Sequence, residues 1–207
     1  MRRSILLSLI LTLMGCGCMM AQRTAADFFT EAPAKLFPLL DQNTRLDMVD
    51  YYKSNLATPS NNKLDGKSVI TDMKPESVSV RMTPASSVQI AVLPASSDSV
   101  VMVISTVSTP GKDSSAAFYT TAWEEQPAEK YFSKPEWKDW IVKGGSVDEV
   151  TMQVPFMLAS YVYDPATKTL TLTNNLETFL DETIYEMISP SLKKSLTYTW
   201  NGKKFTK

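Results

Sequence analysis

The chain contains no histidine. That absence removes the Ser-His-Asp triad, imidazole general acid–base catalysis and the HExxH zinc site. Both cysteines, Cys16 and Cys18, lie near the start. A body cleaved beyond them has no disulfide and no thiolate to act as nucleophile or ligand. Glycine is scarce, at 7 of 207 residues, and no P-loop or dinucleotide fingerprint occurs. The acidic residues do not follow the spacing of an EF-hand loop. No cofactor and no metal is expected from any motif present. Neither sign of charge is in excess: 21 Lys and Arg stand against 22 Asp and Glu. That balance carries no electrostatic footprint for nucleic acid, and no basic amphipathic helix suits a membrane surface. Beyond Gln22 no apolar run is long enough to span a bilayer.

What is present begins with an address. Arg2 and Arg3 precede an apolar run, Ser4 to Met14, of signal-peptide length. Two processing routes fit. Leu13-Met14-Gly15-Cys16 resembles a bacterial lipobox and makes Cys16 the lipidation candidate. Alternatively, cleavage after Ala21 starts a soluble mature chain at Gln22. Either route predicts export, to the periplasm or to the outer membrane as a lipoprotein. Residues 1–21 are thus a signal segment and 22–207 a single domain, since about 190 residues suit one core.

The centre of that domain is Ser77 to Thr121. Val78, Val80 and Met82 alternate with polar neighbours, as do Val88, Ile90 and Val92, the pattern of half-buried strands. Val100 to Ile104 is apolar at every position, so this strand should be enclosed on both faces. Pro, Ser, Gly and Asp punctuate the runs, which gives a meander of antiparallel strands, with Lys67 to Met73 a leading strand. Thr24 with Asp27, and Thr44 with Asp47, predict capped helix starts. Pro33 and Pro38 break the stretch between them. Asp47 and Asp50 share a helix face, and matching of the helix dipole accounts for them better than a catalytic pair does. Glu136 to Ile141 predicts a short helix, and Ser146 to Pro155 reads equally as helical or extended. Met157 to Tyr163 and Thr169 to Thr173 form a hairpin. Asn175 to Ile188 reads as one helix with Leu180, Ile184, Met187 and Ile188 buried. Asn201-Gly202 predicts a type I′ turn between Trp200 and Phe205. The fold class is therefore α+β: an antiparallel sheet meander covered by several helices.

Carboxylate, Lys, Ser and Tyr chemistry is what remains. Ser191 to Lys194 and Ser60 to Lys63 each show S-x-x-K spacing, which on a helix puts a serine and a lysine base on one face, but no S-D-N or K-T-G partner accompanies them. Tyr131, Phe132, Trp137 and Trp140 cluster in and after a loop. They are the candidate binding residues, as an aromatic platform; the competing reading pins them into the core.

Ala26 to Phe29, Asn43 to Tyr52, Gly66 to Ser68, Phe118-Tyr119 with Trp123, and the ending Tyr198 to Phe205 resemble a family of exported Bacteroidales proteins known as a domain of unknown function. The resemblance covers most of the chain beyond the signal segment. It implies export and one domain, and it transfers no catalytic residue. Asp98-Ser99-Val100 also matches the short acceptor pattern for serine O-glycosylation in such bacteria. Export, together with the missing catalytic side chains, favours a non-catalytic binding or interaction module of the cell envelope, its partner an envelope protein or a glycan. An envelope hydrolase using carboxylate or Ser/Lys chemistry is the alternative.

Overall fold

A computed structural model describes residues 23–207 apart from residues 57, 97 and 109. The expected signal segment, residues 1–21, and the lipidation candidate Cys16 lie outside the described residues. Helix α1 (Ala25–Glu31) opens on the expected capping box. The Thr24 hydroxyl accepts from the Asp27 N–H at 3.3 Å, and the Asp27 carboxylate accepts from the Thr24 N–H at 2.7 Å. These reciprocal bonds satisfy two of the N–H groups a helix start leaves free. A 3₁₀ turn (Ala34–Leu36) follows Pro33.

Helix α2 (Gln42–Lys53) starts earlier than Thr44. Asp41 is the cap, its carboxylate accepting from the Thr44 N–H at 2.8 Å. Asp47 and Asp50 therefore sit exposed within the helix rather than at its start, and dipole matching does not explain them. The stripe that α2 buries is Arg45, Met48 and Val49, whereas Leu46 is 45% exposed. An arginine thus occupies a core position of the helix.

Seven strands then form one antiparallel sheet in sequence order. They are β1 (Ser60–Asn61), β2 (Lys67–Lys74), β3 (Ser77–Thr83), β4 (Ser86–Leu93), β5 (Val100–Ser108), β6 (Lys112–Tyr119) and β7 (Glu125–Gln126). Next come α3 (Trp137–Trp140), α4 (Val147–Gln153), β8 (Ala159–Asp164), β9 (Thr169–Asn174), α5 (Glu182–Ile188), β10 (Ser195–Trp200) and β11 (Phe205–Thr206). The last four strands form a second sheet in the order β11-β10-β9-β8. The class is α+β, with antiparallel sheets and several helices, but the strands divide between two sheets rather than forming one.

Strand β5 explains the layering. All of Val100 to Ile104 are buried. Val101 and Val103 join the core beneath α1 and α2, while Val100, Met102 and Ile104 join the core shared with the second sheet. Each such side chain contributes about 1.5–3 kcal/mol by leaving water, so the doubly covered strand anchors both cores. The two sheets are also joined by polar side chains. The outer N–H groups of β8 find acceptors on the first sheet: Ala159 at Asp113 Oδ1 (3.2 Å), Tyr161 at Ser114 Oγ (3.0 Å) and Tyr163 at Gln89 Oε1 (2.9 Å). Gln89 Nε2 donates back to the Tyr163 carbonyl at 2.9 Å. An edge that would otherwise invite another strand is closed in this way. Burial pushes the Tyr161 and Tyr163 phenols up to about 12, so both stay neutral inside the joint.

Two local expectations are corrected. The single helix expected over Asn175–Ile188 is a 3₁₀ turn (Leu176–Thr178) followed by α5. Asn174 Oδ1 accepts from the Leu176 N–H and Asp181 Oδ1 from the Thr183 N–H, both at 2.9 Å. Each side chain starts its own short element, so the Asp181 cap interrupts the stretch. Met187 lies 61% exposed while Ile188 is buried. The β10–β11 connection is a four-residue loop, since Trp200 pairs with Phe205. Gly202 has φ +89° but Asn201 is not in the positive-φ region, so the turn is not type I′, which needs positive φ at both central residues. Instead Asn201 Oδ1 accepts from the N–H groups of Lys203 (3.0 Å) and Lys204 (2.9 Å), a side-chain mimic of a backbone turn. Over Ser146 to Pro155, the helical alternative holds: Ser146 caps α4. Among the described residues no helix is long and apolar enough to cross a membrane.

Candidate ligand-binding cleft

An open cleft of about 490 Å³ lies where three loops of the two sheets converge. The β4–β5 link supplies Asp98 and Ser99, the end of β6 supplies Tyr119 and Thr120, and the β10–β11 hairpin supplies Trp200 to Lys204. Lys130 and Tyr131 close it from the 3₁₀ turn Ala128–Lys130. The walls are held rigidly. Trp200 Nε1 donates to the Pro94 carbonyl at 2.7 Å, tying the hairpin to the β4–β5 link. The Phe205 N–H donates to the Tyr131 carbonyl at 2.8 Å, fixing the 3₁₀ turn beside β11. The Tyr131 ring packs on Phe118 at 5.1 Å and on Trp200 at 6.3 Å between centroids.

Cations outnumber anions in the cleft lining, three lysines to one carboxylate. Lys130, Lys203 and Lys204 line it and are exposed, and none has an ion-pair partner among the described residues. The Lys130 ammonium lies 5.0 Å from the centroid of the Tyr131 ring. Asp98 is the one acid of the lining, and both its oxygens are occupied. Oδ1 accepts from the Ser99 N–H and Oδ2 from the Thr121 hydroxyl, each at 2.8 Å. Burial, with Glu125 nearby, raises the Tyr119 phenol, which therefore enters as a neutral group. With a single carboxylate, the lining lacks the facing pair a glycosidase needs. Its equipment is aromatic surface plus ammonium donors, which suits an anion carrying an apolar face.

The four aromatic candidates are not brought together as a platform. Tyr131 is 8% exposed, Phe132 6% and Trp140 1%. Phe132 is enclosed by the rings of Tyr161, Tyr198 and Phe205 in edge-to-face contact. Trp140 is buried in the same core, and half-buried Trp137 packs instead against the small core beneath α4 and α5. The edge of Tyr131 alone reaches the cleft. Their size drives burial, because these rings fill the gap between the second sheet and its covering loop. Trp200, Lys203 and Lys204 flank the Asn201-Gly202 turn, which is the sequence signal for that wall of the cleft, while nothing local marks Lys130.

Ser191 and Lys194 do not form a helical pair. Leu192 between them is extended, and Lys194 leads into β10. Ser60 lies in β1 with Lys63 in the turn beyond it. Ser99, in the O-glycosylation pattern, is half-buried on the cleft wall.

The fold defines an α+β protein of two packed antiparallel sheets, with α1 and α2 covering the outer face of the first. Residues 18–205 match the family described as "Protein of unknown function (DUF3256)", and the chain belongs to that family. It is also similar to a solved structure, a domain of an uncharacterized protein from Porphyromonas gingivalis W83, with a TM-score of 0.74 at 18% identity, covering 86% of this chain and 95% of that one. At that identity the likeness concerns the fold alone. Comparison with curated proteins gives no match.

Proposed function

We propose that this protein is an exported cell-envelope binding module of Bacteroidales-type bacteria, and that it holds an anionic ligand in the cleft between the β4–β5 link and the β10–β11 hairpin. The observation that carries the reading is the trio Lys130, Lys203 and Lys204, none ion-paired among the described residues, set against the single carboxylate Asp98 in a partly aromatic wall. Three ammonium groups at the mouth of a partly desolvated cleft attract an anion and give its binding a salt dependence. The edges of Tyr131 and Trp200 that reach the cleft supply apolar contact at little entropic cost, because packing already fixes both rings. The ligand class is an acidic glycan or an acidic segment of an envelope protein.

A triple variant, K130E/K203E/K204E, tests the site. All three side chains are exposed, so the fold should survive. Immobilised wild-type protein is expected to recover an acidic glycan or protein from envelope extracts and to release it in high salt. Recovery by the triple variant should fall by at least about tenfold, the effect of reversing several charges around one anion. Equal recovery by both proteins rules the cleft out.

Export is supported by the basic and apolar leader ahead of the folded body. Metabolic labelling with a fatty acid, in wild type and in Cys16→Ala, decides the processing route. Label in the first and none in the second establishes the lipoprotein. No label, with Gln22 as the mature N-terminus, establishes soluble export. An unprocessed chain in the cytosolic fraction defeats the localisation.

A further inference from the structure

Helices α4 and α5 pack side by side over the small core of Val150, Ile188 and Leu192. Between them runs a groove of about 260 Å³. Val150 and Ile188 form its buried floor, and Met152 and Met187 stand on its sides, 82% and 61% exposed. Unbranched, polarizable methionines at a groove adapt their shape to an incoming apolar side chain. Glu149 lines the groove. The two helices that form it also carry Asp148, Glu182 and Glu186, and neither has a lysine or arginine. All four carboxylates are exposed and none is ion-paired among the described residues. No lysine or arginine lines the groove, and Lys193, on the segment after α5, donates to the Asp139 carbonyl at 2.7 Å.

We infer that this groove docks a basic amphipathic segment of another polypeptide, an apolar side chain lying between Met152 and Met187 and Lys or Arg side chains meeting the acidic rim. Charge complementarity chooses the occupant. A second copy of this chain meeting the first through the same face would set the acidic helices against each other, a like-charge arrangement that costs binding energy. A purely apolar partner would leave the rim unmatched. A basic helix or strand with one apolar face satisfies both features. The surface is separate from the lysine-edged cleft and of opposite sign, so the two sites select different partners.

Fluorescence anisotropy with two labelled model peptides tests the inference: an amphipathic Leu/Lys peptide and a Leu/Glu peptide of the same apolar pattern. The wild-type protein should bind the Leu/Lys peptide at least about tenfold more tightly than the Leu/Glu peptide, and binding should weaken as salt is added. Met152→Ser with Met187→Ser should cost about tenfold, as should Glu149→Lys with Glu186→Lys. The K130E/K203E/K204E variant should leave peptide binding in place. The substituted positions are exposed, so unchanged melting curves verify that the variants are folded. Undiminished binding to either double variant, or equal binding of the two peptides, overturns the inference. So does a dimer seen in sedimentation that dissociates in the methionine variant.

Discussion

Replacing Arg45 with alanine is expected to lower the stability of the fold by about 3–5 kcal/mol, from two orphaned carbonyls at about 1–3 kcal/mol each together with the cavity left behind. Arg45 is 2% exposed, and no carboxylate pairs with it among the described residues. Its guanidinium donates from Nη1 to the Phe29 carbonyl and from Nη2 to the Ala32 carbonyl, both at 2.8 Å. Those carbonyls lie at the C-terminal end of α1, where the helix leaves acceptors free and its dipole favours a cation. Phe37 flanks the guanidinium, 5.4 Å from ring centroid to Cζ. Desolvation lowers the arginine's affinity for its proton, yet the group stays charged because its ordinary value is so high. The arginine therefore clamps α1 to α2, and its removal orphans two acceptors and opens a cavity. Met and Lys variants separate those effects. Arg45→Met fills the volume but satisfies neither carbonyl, and should retain less than half the clamp. Arg45→Lys keeps the charge and reaches one carbonyl, so it should lie between wild type and methionine. Urea midpoints at constant m-value measure all three. A methionine variant as stable as wild type would show that the burial cost of the charge cancels its hydrogen bonds.

The sheet meander and the doubly buried β5 could be read from alternation and turn residues because those patterns act locally, over a handful of neighbours. The same holds for the Thr24 capping box. What could not be read was set by long-range packing. Arg45 looks like a solvated helix residue until Phe29 and Ala32 supply their carbonyls from sixteen and thirteen positions away. The closure of the β8 edge by Gln89, Ser114 and Asp113 depends on the second sheet settling on the first, with partners 46 to 74 positions apart. The cleft follows the same logic: Asp98, Lys130 and Lys203 come from separate loops, and nothing in their spacing announces that they converge. Between Asn175 and Ile188 the Asp181 cap divides the stretch, yet Leu180, Ile184 and Ile188 keep their inward side, and Met187 alone stands out at the groove.

Phe132 carries the other large expected effect, and it separates the platform reading from the packing one. Its ring meets Tyr198 at 5.2 Å, Tyr161 at 5.9 Å and Phe205 at 6.2 Å between centroids, all near perpendicular. The contacts link the covering loop to β8, β10 and β11 at once. Phe132→Ala should cost about 3–5 kcal/mol, from lost transfer energy and a residual cavity, with each edge-to-face pair adding about 0.5–1.5 kcal/mol beyond area. Phe132→Leu keeps most of the volume and loses the ring geometry, so it should recover roughly half of that loss. Because the 3₁₀ turn bearing Lys130 is continuous with Phe132, the alanine variant should also loosen the cleft wall, visible as faster amide exchange at Tyr131 and Phe205. A residue serving only as a contact surface would behave in the opposite way. Its truncation would leave the unfolding midpoint in place and reduce ligand recovery alone, and that result would return Phe132 to the binding surface.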